Sequence, residues 1–344
     1  MEKRRFSTVI MITKESYQPT DISAWTGRTD GTDPDLLRWH QVVQVINLLQ
    51  QPLPALTPGQ KGIVLLGFAS DEGVRRNKGR VGAAEGPAAL RKAIANFPVH
   101  FNAQTLLLDA GNIICVNGEL ENAQQVLSEA VKAILTAGYL PLLLGGGHEI
   151  TYGHASGIRQ FAGKRPVGFI NFDAHFDIRV PGEEGASSGT GFWQLAQDAK
   201  QAGVPFHYLA LGIQKNGNTR QLFNIAGEEE ATYVSADAFH LQDKDTLLAA
   251  IQHFLSQVEK VYLTTCLDVF SAAFAPGVSA TAYNGILPGG LFLQCYRKIM
   301  ESGKVAGVDI AELNPSLDID NRTAKLAASL IFETVMAYCG EEPF

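Results

Sequence analysis

The chain has 344 residues, 46% of them apolar and 18% charged, and a formal net charge of −7. That supply of apolar residues is enough for a large core, while the acidic surplus argues against a nucleic-acid surface and against polybasic membrane binding. No apolar run approaches the roughly 20 residues of a membrane span, and Cys115, Cys266, Cys295 and Cys339 lie far apart, reading as reduced thiols of a cytoplasmic protein.

Met1 to Thr13 joins basic residues to a short apolar run. Lys14-Glu15 follow and no small-residue cleavage site appears, so the segment is not read as a signal peptide. Residues 1–60 read as an N-terminal extension packed on the core, with a helix from Pro34 to Gln50 opened by its proline. Pro52, Pro54 and Pro58 then mark a linker. Over 61–344, short apolar runs at Gly62–Ala69, Thr105–Asp109, Leu140–Leu144, Val167–Asp173, His207–Gly212, Val261–Asp268 and Val305–Ile310 read as strands. Near-continuous apolarity is what strands buried on both faces show. Amphipathic stretches at Pro87–Phe97, Ala123–Ala137, Phe192–Lys200, Lys244–Val258, Gly290–Glu301 and Thr323–Tyr338 read as core-facing helices. The alternation predicts a single three-layer α/β/α domain with a mostly parallel sheet.

In such a sheet, function gathers beyond the carboxyl ends of the strands. Three segments there hold potential metal ligands: Gly145-Gly146-Gly147-His148-Glu149, then Asn171-Phe172-Asp173-Ala174-His175-Phe176-Asp177, then Thr265-Cys266-Leu267-Asp268. A lone His after a strand is more often a cap or a core residue, and an Asp there often caps a helix. The combination is harder to read as packing. Alternate side chains of an extended chain share a face, which predicts that Asp173, His175 and Asp177 point the same way. Three glycines permit close backbone approach, and the carboxylates would be costly if buried without partners. Carboxylates with imidazoles suit Mn, Zn or Fe.

These segments resemble the ureohydrolase family, whose pattern is G-G-x-H, then D-A-H-x-D, then D-x-D before a Pro-containing turn, here Ala275-Pro276-Gly277-Val278-Ser279. Within that family, Trp25 to Gly31, Arg38-Trp39-His40-Gln41, Gly73 to Ala83 and Asn171 to Arg179 are most similar to the formimidoylglutamases. The resemblance implies an arginase-like fold holding two Mn²⁺ ions. It assigns His148 and Asp177 to one ion, His175 and Asp268 to the other, and Asp173 to both, with Cys266 where the family has a second bridging carboxylate. It further implies hydrolysis of N-formimidoyl-L-glutamate to L-glutamate and formamide by a metal-activated hydroxide. Glu312 would face the cationic amidine, and Asp177 would pass a proton to the departing nitrogen.

A substrate with two carboxylates favours arginine forks, and Arg179 and Arg76 are the expected partners. The arginases share a Ser-Gly-x-x-His stretch, and Phe192 stands at the histidine of that stretch here. Cys266 implies either a modified metal site or a low-activity copy, and a second reading is a non-catalytic binding protein on the same fold. An arginase- or agmatinase-type ureohydrolase is the third. A small-molecule substrate, no nucleic acid, no membrane and a homo-oligomer are expected.

Overall fold

Gly62–Ala69 shows how the central strands bury both faces. Ile63 and Leu65 enter one core layer, Val64 and Leu66 the other, and all four are fully buried. The structure is a computed structural model that describes residues 12–241 and 243–340. Of the Met1–Thr13 segment, residues 1–11 lie outside that range.

Among the described residues ten strands form one sheet. They are β1 (Tyr17–Gln18), β2 (Gln44–Val45), β3 (Gly62–Ala69), β4 (Leu106–Ile114), β5 (Leu140–Leu144), β6 (Val167–Phe172), β7 (His207–Ile213), β8 (Thr232–Ser235), β9 (Lys260–Cys266) and β10 (Val305–Ala311). The order is β1-β4-β3-β5-β10-β9-β6-β7-β8, with β2 also on β4. Only β1 runs antiparallel to its neighbour among these pairs. Helices Gly86–Ile94, Lys244–Ser256, Gly290–Met300 and Arg322–Cys339 cover one face. Leu120–Thr136, Ile150–Ala162, Gly191–Ala202 and Arg220–Glu228 cover the other. This is the expected α/β/α architecture. No helix of the described residues is long and apolar enough to cross a membrane.

The helix expected from Pro34 to Gln50 does not form. A 3-10 turn at Pro34–Leu36, a short helix at Trp39–Val42 and β2 take its place. The run Val42-Val43-Gln44-Val45-Ile46 is β-branched and favours extended backbone, and Gln44 and Val45 pair with Leu108 and Asp109. The helix Ile150–Ala162 was hidden by two glycines. A Cβ on Gly153 would lie 2.7 Å from the Gln124 carbonyl oxygen, and one on Gly157 2.6 Å from that of Ser128. Both glycines weaken helical propensity, and both are needed for close packing on Leu120–Thr136. The N-terminal segment is tied to the sheet: Trp25 Nε1 donates to Asp109 Oδ2 at 2.7 Å, and Trp25 and Trp39 are buried in the core.

Candidate metal centre

Strands β5, β10, β9 and β6 lie side by side, and each ends next to an ionisable or thiol side chain. His148 follows β5 across the glycine turn, Glu312 follows β10, Cys266 ends β9 just before Asp268, and Asp173, His175 and Asp177 follow β6. The turn must be bare. A Cβ on Gly146 would collide with the Ser70 carbonyl oxygen and sit 2.7 Å from that of Phe68.

The expected ligands converge. His148 Nδ1 lies 3.0 Å from Asp173 Oδ2 and 2.7 Å from Asp177 Oδ2. His175 Nδ1 lies 3.4 Å from Asp173 Oδ1 and 3.2 Å from Asp268 Oδ2. His148, Asp173 and Cys266 form one group and Asp173, His175 and Asp268 another, with ligand atoms in each within 4.8 Å of one another. Asp173 belongs to both groups, which suits it to bridge two cations. Asp268 Oδ1 is buried with no hydrogen-bond partner among the described residues. Buried carboxylates with too few donors call for cations, and oxygen with imidazole donors suits Mn²⁺, so these residues fit a pair of such ions.

The convergence does not come from one extended strand, as the spacing suggested. The chain bends after Phe172, and Asp177 adopts a φ of +46°. Glu312 has a φ of +72°. Left-handed backbone is uncommon for residues other than glycine and gathers where function holds it. Spacing in the sequence gave no signal for either.

Electrostatics point the same way. Burial alone would lower the His148 pKa, but Asp173 and Asp177 outweigh it and hold the ring well above its ordinary value. Burial, then Asp173, pushes Asp268 up to about 6. Burial, then Asp268 and Glu149, pushes Glu312 up to about 8. Burial and the surrounding carboxylates raise the Cys266 thiol well above the ordinary range. Each of these four shifts favours more positive charge, whereas at Asp173 burial is outweighed by the two histidines, which hold the carboxyl below its ordinary range.

The site opens into a cavity of about 580 Å³ lined by His148, His175, Asp177, Cys266, Asp268 and Glu312. Arg179, Lys78 and Arg80 line it too. The Arg179 guanidinium is exposed and has no hydrogen-bond or ion-pair partner among the described residues. Arg76 lines the cavity as well. Its guanidinium already donates to Glu72, Glu121, Gly118 O and Ala186 O, which leaves no free N–H for a substrate. Arg80 is partly engaged, donating to Ser279 O and Val278 O. Nothing in the sequence marks Lys78, whose φ is +61°, as a residue of the site. Phe192 is buried and stacks on Tyr208 at 4.2 Å.

Residues 61–337 match the arginase family. A formimidoylglutamase of Clostridium tetani is 41% identical over 325 residues, covering 93% of this chain and 96% of that protein. The crystal structure of Trypanosoma cruzi formiminoglutamase with Mn²⁺ superposes with a TM-score of 0.71 at 25% identity, over 82% of this chain and 95% of that one. Bacillus subtilis formimidoylglutamase gives a TM-score of 0.75 at 22% identity, over 90% and 94% of the two chains, a likeness of fold.

Proposed function

The chain belongs to the arginase family, and from that premise we propose that it hydrolyses N-formimidoyl-L-glutamate to L-glutamate and formamide. The observation that carries this reading is the likeness to formimidoylglutamases over nine-tenths of the chain, 41% identical in the Clostridium tetani relative. The site supports it with Arg179, whose guanidinium has no partner among the described residues, beside a double cluster of ligands.

His148, Asp173, His175, Asp177 and Asp268 would hold two Mn²⁺ ions, with the Cys266 sulfur beside the first of them, in one group with His148 and Asp173. When bound, the ions supply Lewis acidity that lowers the pKa of water from 15.7 towards about 7. Arg179 binds a substrate carboxylate, and charge-assisted contacts of this kind carry orientation as well as affinity. Glu312 faces the amidinium. A cation at that place favours the ionised carboxylate and so counters the burial that raises it. Asp177 holds the proton that the glutamate nitrogen takes as the carbon–nitrogen bond breaks. One water is consumed: its oxygen goes to formamide, whose nitrogen keeps the two hydrogens of the amidinium, and its two hydrogens go to the glutamate nitrogen, which leaves as an ammonium.

The same reading includes a place in histidine degradation, a cytoplasmic location and self-association. The four cysteines, all unpaired, suit a reducing compartment. Purified protein with Mn²⁺ should release formamide from formimidoylglutamate faster than urea from arginine or agmatine. Faster urea release would overturn the substrate assignment.

A further inference from the structure

We infer that Thr264, Asp309 and His154 form a buried relay that positions His148 and fixes which of its nitrogens faces the metal centre. The inference rests on the metal-holding part of the proposed function and not on the substrate.

A count of protons sets the tautomer. Thr264 and Asp309 sit opposite each other in the register of β9 and β10, and both are fully buried. Thr264 Oγ1 donates its one proton to Asp309 Oδ1 at 2.5 Å. Towards His148 Nε2, 3.0 Å away, the same oxygen can therefore only accept. Nε2 must carry the hydrogen, and Nδ1 turns to the Asp173 and Asp177 carboxylates. A histidine ligand whose second nitrogen donates to a fixed partner has its tautomer and ring orientation set by that partner.

The far end of the relay is equally constrained. Asp309 Oδ2 lies 2.6 Å from His154 Nδ1, which must donate to it, and His154 Nε2 has no partner among the described residues. The His154 ring is fully buried and rests edge-on against Tyr262 at 5.0 Å. A side chain on Gly307 would collide with it. Three buried polar residues on two strands and a helix thus end on one ligand of the site. Packing alone does not explain them, since apolar groups of the same shape would fill the space without the desolvation that buried polar groups cost.

Thr264→Val keeps the shape and removes the acceptor. Outer partners of metal-bound histidines are worth about 10- to 100-fold in metal affinity. Titrating Mn²⁺ into the metal-free full chain should therefore show one ion bound about 10- to 100-fold more weakly in Thr264→Val than in wild type. Excess Mn²⁺ should restore kcat, leave KM for formimidoylglutamate unchanged, and be unnecessary in Thr264→Ser, which keeps the hydroxyl. Asp309→Asn should shift Mn²⁺ affinity in the same direction by less, and it serves if the valine variant does not fold. Folded Thr264→Val that holds both ions as tightly as wild type overturns the relay, as does a raised KM with unchanged Mn²⁺ binding. Because Mn²⁺ binding is read without substrate, a wrong substrate assignment would leave these results untouched.

Discussion

Cys266 stands where the resemblance implies a second bridging carboxylate. Its side chain offers one soft sulfur where a carboxylate would offer two oxygens, and Mn²⁺ prefers oxygen. It is buried, and the neighbouring carboxylates hold its proton on. We therefore expect Cys266→Asp to tighten Mn²⁺ binding by at least the roughly tenfold that even an outer ligand partner is worth, and to raise formamide release. Metal analysis of the two proteins after identical Mn²⁺ loading checks this, and equal occupancy with equal rates would show the thiol to be harmless. At this scale the sequence was informative about which residues meet and silent about how. His148, Asp173, His175, Asp177 and Asp268 were legible because their chemistry is poorly suited to a core. That the Arg76 N–H groups have protein partners was not legible, because those partners, Glu72, Glu121 and two carbonyl groups, come from three separate segments that spacing alone cannot place.

At the scale of elements, strand runs were easy to read where both faces are buried. Gly62–Ala69 and Leu140–Leu144 match their predicted bounds to the residue. Short edge strands such as β2 and β8 were not legible, since pairing decides them and composition does not. The glycine turn after β5 was legible as a place of close approach, and its geometry supports a test. A Cβ at position 146 would collide with the Ser70 backbone and crowd that of Phe68, and backbone cannot swing aside as a flexible side chain can. Gly146→Ala should cost about 1–3 kcal/mol or more, as other overpacked sites do. Denaturant unfolding should show a lower midpoint with an unchanged slope. A midpoint equal to that of wild type would mean that the turn relaxes freely.

Across the whole molecule, the ligands come from residues 148, 173–177 and 266–268, carried by three strands of the same sheet. Bringing that many carboxylates together costs desolvation and repulsion, seen in the raised pKa of Asp268 and of Asp177. Cations relieve both, and because they bind the folded state, their binding energy adds to folding energy. At a free Mn²⁺ concentration of 100 times Kd the gain is about 2.7 kcal/mol. In a chain of this size each kcal/mol moves the melting temperature by about 2 °C, the lower end of the range for somewhat smaller domains, so saturating Mn²⁺ should raise it by about 5 °C over protein stripped with a chelator. The shift should be smaller in His148→Ala and Asp173→Asn, each of which removes a ligand from the cluster. Melting curves with and without Mn²⁺, for wild type and both variants, make the comparison. If the wild type melted at one temperature under both conditions, the cluster would not be a metal site, and the hydrolytic reading would lose its foundation.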